Sequence, residues 1–221
     1  MSALPALVLF DLDGTLIDSA PDLAGAANAM REARGLPALP VATLRPMVGS
    51  GARGMIGLAL DVVPGDVDYE TLRSEFLDIY QQRSLALTAI FSAVQPVLDR
   101  LEAHDRPWGI VTNKAERFTH AIVQGLGLAQ RAAVVVCGDT TPHSKPHPAP
   151  LLEAARRAGT EARHCVYVGD DLRDVQAGRA AGMATLVAGW GYLGQGEPAE
   201  AWGADAVLEE PSALLHWLRL P

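Results

Sequence analysis

Short apolar runs alternate with helical patterns along most of this 221-residue chain. The runs are rich in valine and lack the polar alternation of a half-exposed strand, so they predict strands that are buried on both faces. They are Leu7–Phe10, Trp108–Val111, Ala133–Cys137, Cys165–Val168, Ala184–Ala188 and Ala206–Leu208. Helical patterns follow over 94–104, 115–126, 149–158, 172–181 and 212–218. This alternation predicts an α/β fold with a Rossmann-like core, in which helices cover both faces of a parallel sheet.

The segment from 18 to 86 breaks that alternation. Helical patterns run over 22–34, 54–60 and 69–83, and no strand-like run separates them. Ser19, followed by Pro21 and Asp22, predicts an N-cap at the start of the first of these helices. We therefore expect a catalytic core formed by 1–17 and 87–221. An all-helical cap, 18–86, is inserted after the first core strand, where it could act as a lid.

The composition limits which partners the protein can bind and in which compartment it is expected. The chain is 49% hydrophobic, its formal net charge is -8 and its pI is near 5.2. The acidic balance argues against nucleic acid or an anionic membrane as a partner. The two cysteines, Cys137 and Cys165, lie in apolar segments and are expected to be core residues. With no signal peptide or membrane span in the sequence, we expect a cytoplasmic protein, either a monomer or a homodimer.

Two carboxylates directly follow the first predicted strand. Asp11 and Asp13 are spaced i, i+2 at its carboxyl end, so they are expected to project to one side. Ligands of an open parallel sheet bind at this end. One carboxylate can attack a substrate while the other carries a proton. The alternative is a solvated strand end before the Gly14 turn.

Two further strand-to-helix turns carry groups that suit a phosphate. The second strand ends in Thr112-Asn113-Lys114, where a hydroxyl and free backbone amides can bind phosphate oxygens. The alternative is a simple helix cap. Lys145, held next to Pro146, can neutralise a phosphoryl group, although surface lysines are common. The neighbouring His143 and His147 lack further ligands at zinc spacing, so they are interpreted as turn residues.

The turn after the Cys165–Val168 strand is acidic. Asp170, Asp171 and Asp174 offer oxygen ligands for a hard cation such as Mg²⁺. An alternative is that Asp171 only caps the next helix and that Asp174 lies on its exposed face.

In this order, the four turns resemble those of the haloacid dehalogenase superfamily of phosphohydrolases, over essentially the whole chain. The resemblance implies that Asp11 is a nucleophile that forms an aspartyl-phosphate and that Asp13 is the general acid and base. It also implies that Thr112 and Lys145, with Asn113 beside them, bind the phosphoryl group of a small phosphorylated metabolite. Mg²⁺ would lie between the Asp11 carboxylate, the Asp13 backbone carbonyl and Asp170.

Within the superfamily, the cap type and the run from Val48 to Arg53 resemble phosphoglycolate phosphatases. The Leu44-Arg45-Pro46 and Trp202–Asp205 stretches are similar to bacterial N-acetylmuramic acid 6-phosphate phosphatases, which leaves that substrate as an alternative. A phosphosugar mutase and a non-catalytic binding protein are less favoured alternatives. In the cap, Arg53 and Arg45 are candidates to bind a carboxylate on the leaving group. The alternative is that both are solvated charges on a helix.

Overall fold

Six parallel strands form the central sheet in the computed structural model, which describes residues 4–221. The strand order is β5-β4-β1-β6-β7-β8. In chain order the strands are β1 (Leu7–Phe10), β2 (Ile17–Asp18), β3 (Ala89–Ile90), β4 (Trp108–Val111), β5 (Val134–Val136), β6 (Cys165–Gly169), β7 (Ala184–Ala188) and β8 (Ala206–Leu208). Each of the six predicted runs forms one strand of this sheet, so the predicted α/β fold class is confirmed.

The central strand β1 determines where a site can form. Phe10 pairs with Ile110 of β4 on one side and with Val168 of β6 on the other. The chain first adds β4 and β5 on one side of β1 and then returns to add β6 on the other. At such a reversal the connections leave β1 and β6 in opposite directions and open a crevice at their carboxyl ends. Asp11 and Asp170 directly follow these two strands.

Helices cover both faces of the sheet. The α-helices in 4–221 are α1 (Ala20–Glu32), α2 (Val41–Leu44), α3 (Gly51–Leu60), α4 (Tyr69–Arg83), α5 (Gln95–Ala103), α6 (Glu116–Gly125), α7 (Ala149–Arg157), α8 (Leu172–Ala180) and α9 (Ala213–Trp217), of which α1 to α4 pack mainly on one another. Val8 and Phe10 of β1 pack into one apolar cluster, whereas Leu7 and Leu9 pack into another. Both cysteines are buried and free, as expected. Within 4–221, no helix is long and apolar enough to cross a membrane.

Helices α1 to α4 all lie between two short antiparallel strands, β2 and β3. Ile17 pairs with Ile90 and Asp18 with Ala89, so the chain leaves and re-enters the core through a two-stranded ribbon. The ribbon was not predicted, because two residues are too few to show periodicity. It lies next to the predicted boundaries, and the assignment of 18–86 as a separate domain stays a prediction.

Ser19 corrects one detail of the prediction. It occupies the N-cap position of α1, but its side chain makes no capping hydrogen bond. Its hydroxyl donates instead to Asp13 Oδ1. The predicted N-cap position is confirmed, but the capping hydrogen bond is replaced because the charged Asp13 carboxylate is a stronger acceptor for the hydroxyl.

Candidate active site

Asp11 lies at the centre of the crevice, at the carboxyl end of β1. Its Oδ1 accepts the backbone N–H of Leu12 at 2.7 Å and lies 3.0 Å from Lys145 Nζ. Its Oδ2 accepts no hydrogen bond from any residue that the structure describes. One oxygen is therefore fixed in place, while the other remains available to a ligand.

Lys145 is buried beneath this carboxylate. Its Nζ lies 2.7 Å from Asp174 Oδ1, 2.7 Å from the Tyr167 hydroxyl and 3.0 Å from the Val111 carbonyl oxygen. Burial alone would lower the pKa of Lys145, but the negative charges of Asp11 and Asp174 outweigh it and raise the pKa. The ammonium is therefore charged at neutral pH, and the surface-lysine alternative is wrong.

Asn113 fixes the backbone of Lys145. Its side-chain amide donates to the Lys145 carbonyl oxygen and accepts the Lys145 N–H, both at 2.9 Å. Thr112 is buried, and its Oγ1 accepts the N–H of Lys114 at 3.1 Å, which leaves the Thr112 hydroxyl proton free for a ligand. The direct role of the Asn113 side chain is thus to position Lys145, and contact of Thr112 and Asn113 with substrate stays a prediction.

Three carboxylates converge beside Lys145. Oxygens of Asp11, Asp170 and Asp174 lie within 4.8 Å of one another. Asp170 is buried and accepts hydrogen bonds from Thr15 Oγ1 at 2.9 Å and from the Tyr192 N–H at 2.8 Å. Such a group of hard oxygen ligands could hold a divalent cation.

The charge of this cluster is incompletely balanced by the protein. Burial, with the nearby charge of Asp174, raises the pKa of Asp11 to about 7 even though Lys145 opposes the shift. Burial and the charges of Asp11 and Asp174 raise the pKa of Asp170 well above its usual range. A cation placed between these groups would favour their ionised forms.

The start of α8 separates the roles of Asp171 and Asp174. Asp171 Oδ1 accepts the N–H of Arg173 at 2.9 Å, and Asp174 Oδ2 accepts the N–H of Asp171 at 3.1 Å, which makes a capping box. The predicted capping role of Asp171 is confirmed. Asp174 is only 2% exposed, so the alternative that placed it on the exposed helix face is wrong.

Asp13 faces away from the cluster, towards Lys114. Lys114 Nζ lies 2.9 Å from both carboxylate oxygens of Asp13 and 5.0 Å from the centre of the Tyr80 ring on α4. Burial would lower the pKa of Lys114, but the Asp13 charge raises it overall. Sequence reasoning missed this lysine. The signal that could have found it is its place beside Thr112 in the same turn.

Two glycines let the backbone approach Asp170. Gly14 has φ of 85°, and a Cβ there would overlap the Asp170 carboxylate. A Cβ on Gly191 would overlap the side chain of Asp170 and the Gly14 carbonyl oxygen. Both positions therefore require the absence of a side chain.

A cavity of about 390 Å³ lies between these groups and the inserted helices. Asp11, Asp13, Lys114 and Lys145 line it from the core. Residues from the inserted segment complete the lining: Leu23, Val48–Arg53, Tyr69, Arg73, Phe76, Leu77 and Tyr80. The predicted catalytic, phosphate-binding and metal-binding residues thus meet in one cavity, and Arg53 reaches its wall.

Arg45 does not line this cavity. It forms a two-pronged ion pair with Asp18, with distances of 2.9 and 2.8 Å, and lies 5.5 Å from the centre of the Tyr192 ring. The Asp18 carboxylate in the connecting ribbon binds the Arg45 guanidinium, which favours the alternative to a leaving-group role for Arg45.

Comparisons with known proteins agree with this geometry. A family model described as haloacid dehalogenase-like hydrolase matches residues 8–188. A phosphoglycolate phosphatase of Xanthomonas campestris pv. campestris is 48% identical over 95% of both chains. An N-acetylmuramic acid 6-phosphate phosphatase of Pseudomonas aeruginosa is 40% identical over 96% of this chain and 93% of its own.

A solved structure extends the similarity to the fold. The crystal structure of a predicted phosphoglycolate phosphatase from Haemophilus somnus has a TM-score of 0.84 and is 25% identical, over 96% of this chain and 97% of its own. The matched residues include Asp11, Asp13, Thr112, Lys145 and Asp170. The chain belongs to the haloacid dehalogenase-like hydrolases and is a phosphatase that acts on small phosphorylated molecules.

Proposed function

We propose that this protein hydrolyses phosphomonoesters through an aspartyl-phosphate on Asp11, with the help of Mg²⁺. The observation that carries the proposal is that two carboxylates lining one cavity have different partners. Asp11 lies with Lys145 and the acidic cluster, whereas Asp13 lies with Lys114. The first group suits a phosphoryl group and the second suits its leaving group.

The reaction proceeds in two displacements. Asp11 Oδ2 attacks the phosphorus, the bond from phosphorus to the ester oxygen breaks, and that oxygen takes a proton from Asp13. Water then attacks the phosphorus of the aspartyl-phosphate and gives a proton back to Asp13. The bond from phosphorus to Asp11 breaks, which releases inorganic phosphate and restores Asp11 as a carboxylate and Asp13 as a protonated acid.

Attack of a carboxylate on a phosphate brings two anions together, so positive charge is needed at the site. Lys145, held by Asp174 and Tyr167, supplies one fixed charge beside Asp11. The buried, oxygen-only cluster of Asp11, Asp170 and Asp174 fits Mg²⁺, and the Asp13 backbone carbonyl remains an additional proposed ligand. When bound, Mg²⁺ supplies positive charge to the phosphoryl oxygens.

Phosphoglycolate is the first candidate substrate, because the relative at 48% identity carries that name. N-acetylmuramic acid 6-phosphate is the second candidate. The cavity of about 390 Å³ favours it, since pockets of roughly 300–1,000 Å³ hold ligands much larger than glycolate. We expect either reaction to take place in the cytoplasm.

A panel of phosphomonoesters tests the proposal. It includes both candidates and p-nitrophenyl phosphate, with phosphate release measured as kcat/KM in Mg²⁺ and after chelation. Asp11→Asn should abolish turnover without unfolding the protein, and Asp13→Asn should lower it by about 10²–10⁴-fold. Undiminished turnover by clean Asp11→Asn protein, or full activity in metal-free buffer, contradicts the proposal.

A further inference from the structure

The two buried ammonium groups of the site differ in how completely they are satisfied. Lys145 Nζ has four oxygen neighbours, from Asp11, Asp174, Tyr167 and Val111. Lys114 Nζ has two, and both belong to Asp13. An ammonium has three N–H donors, so Lys114 retains one that makes no well-aligned hydrogen bond among residues 4–221, although the Tyr80 hydroxyl lies beside it.

That spare donor is enclosed by the protein. The Lys114 side chain is 9% exposed, and the aromatic ring of Tyr80 lies 5.0 Å from its Nζ. The Tyr80 hydroxyl is also buried, and it makes no hydrogen bond of acceptable geometry with any described residue, Lys114 included. Both residues line the cavity, so the hydroxyl of Tyr80 and one N–H of Lys114 lie next to each other there without a well-aligned hydrogen bond. Unsatisfied buried groups of this kind are costly unless a ligand completes them.

The placement of lysines in the sequence also points to Lys114. Of its 18 Lys and Arg residues only two are lysines, Lys114 and Lys145, and both lie in this site. Lysine differs from arginine in presenting a compact ammonium. At a crowded position next to the bond that reacts, an ammonium fits where a larger guanidinium would not.

The position of Lys114 relative to Asp13 defines which part of a substrate it can reach. Asp13 must approach the ester oxygen to within about 2.6–3.2 Å to protonate it. Lys114 Nζ lies 2.9 Å from both Asp13 oxygens, so it is close to that ester oxygen as well. An anionic group one carbon away from the ester oxygen falls within its reach. None of the cavity-lining residues that the structure describes in the inserted helices is acidic, so nothing there repels such a group.

We propose that Lys114, together with the Tyr80 hydroxyl, binds a carboxylate carried on the carbon next to the ester oxygen of the leaving group. This inference rests on the proposed function and assigns its specificity to a residue of the core. The carboxylate takes the free N–H of Lys114 and shares the ammonium with Asp13. The Tyr80 hydroxyl, from α4, provides a second donor beside the ammonium.

Two esters that differ only in that carboxylate test the proposal. They are 2-phosphoglycolate and 2-hydroxyethyl phosphate, compared by the ratio of their kcat/KM values. Lys114→Met should lower the ratio by on the order of ten- to a hundredfold, as expected for a lost hydrogen bond between charged groups. Tyr80→Phe should lower it by a smaller factor. The matched control is Arg45→Met, which removes a cation that pairs with Asp18 outside the cavity and should leave the ratio unchanged.

The outcomes separate this inference from the proposed function. Equal losses on both esters would mean that Lys114 only positions Asp13, and the inference would be overturned. If the native protein hydrolyses neither ester, the proposed substrate class itself is wrong.

A second measurement keeps the inference testable if Lys114→Met does not fold. Because the chain has two lysines, ¹³C,¹⁵N-lysine labelling gives two side-chain ammonium signals, which Lys114→Arg assigns. Glycolate added to native protein in Mg²⁺ and phosphate should move the Lys114 signal, and ethylene glycol should not. A Lys114 signal that is unmoved at saturating glycolate contradicts the inference.

Discussion

At the scale of single residues, the buried charges of the site do not cancel. Asp11, Asp170 and Asp174 face one ammonium, that of Lys145. The imbalance appears in the pKa of Asp11, which burial raises to about 7. A carboxylate with a raised pKa can bind a cation in exchange for its proton, because a nearby positive charge favours the ionised form.

This imbalance makes the effect of Mg²⁺ depend on pH. In metal-free protein the pKa of Asp11 rises from 3.8 to about 7 on folding, so the folded state binds the proton more tightly. That group's contribution to stability therefore falls as pH rises through this window. Below about pH 7, protons compete with Mg²⁺ for the Asp11 carboxylate. We therefore expect Mg²⁺ to raise Tm more at about pH 8 than at about pH 5.5.

Thermal unfolding with and without Mg²⁺ at the two pH values provides the measurement. Asp170→Asn is the control, because it removes one carboxylate of the cluster and should reduce the Mg²⁺ effect at both values. An equal rise in Tm at the two pH values would contradict the competition between protons and Mg²⁺, and no rise at either value would contradict the interpretation of the cluster as a cation site.

At the scale of elements, the first turn of α8 combines helix capping with the support of Lys145. Asp171 caps the helix and binds Arg173, whose guanidinium also donates to the Gly49 carbonyl oxygen of the inserted segment. Asp174 completes the capping box and lies 2.7 Å from Lys145 Nζ. The start of this one helix thus aligns Lys145 and also contacts the inserted segment.

Substitutions in this turn should separate the two roles. Asp171→Ala should cost about 0.5–2 kcal/mol of unfolding free energy, the usual cost of a lost cap, with a smaller effect on kcat. Asp174→Asn should lower kcat by about tenfold or more, because the charge that holds Lys145 is lost while an amide can still accept a capping bond. Chemical denaturation and steady-state kinetics of both variants provide the comparison. A larger loss of kcat in Asp171→Ala would reverse the assignment.

The two arginines of the cap give a second pair of contrasting variants. Arg53 lines the cavity, so Arg53→Ala should lower kcat/KM for carboxylate-bearing esters more than for p-nitrophenyl phosphate. Arg45 pairs with Asp18 in the connecting ribbon, and Arg45→Ala should affect both classes of ester equally. The partly exposed ion pair of Arg45 and Asp18 should contribute about 0–1 kcal/mol to the free energy of unfolding. Substrate-selective loss in Arg45→Ala, or none in Arg53→Ala, would contradict this assignment.

Sequence patterns predicted the elements whose formation depends on local periodicity. The six buried strands and the helices between them repeat apolar residues often enough to be recognised. The ribbon of β2 and β3 was missed because each strand has two residues. The partners of Ser19, Arg45 and Lys114 were missed because their contacts join distant parts of the chain. Asp11, Lys145 and Asp170 were predicted together because the carboxyl ends of parallel strands share one edge.

At the scale of the whole molecule, the core and the inserted helices contribute different kinds of residue to the walls of one cavity. The core supplies the charged groups, and the inserted segment supplies an apolar wall with Phe76 and Leu77 and the cationic Arg53. The ribbon connects the two, and Arg173 links α8 directly to Gly49. A partly enclosed cavity limits access of water to the charged groups and strengthens the electrostatic interactions among them.

The central claim is that Asp11 itself becomes phosphorylated during turnover. Quenching the native protein with sodium borohydride during hydrolysis of a good substrate reduces an aspartyl-phosphate to homoserine, which peptide mass spectrometry locates. We predict homoserine at position 11, with Asp13 unchanged as an internal control and no homoserine without substrate. Homoserine at position 13, or unmodified Asp11 in protein quenched during rapid turnover under conditions that reduce a reference acyl phosphate, would contradict the account.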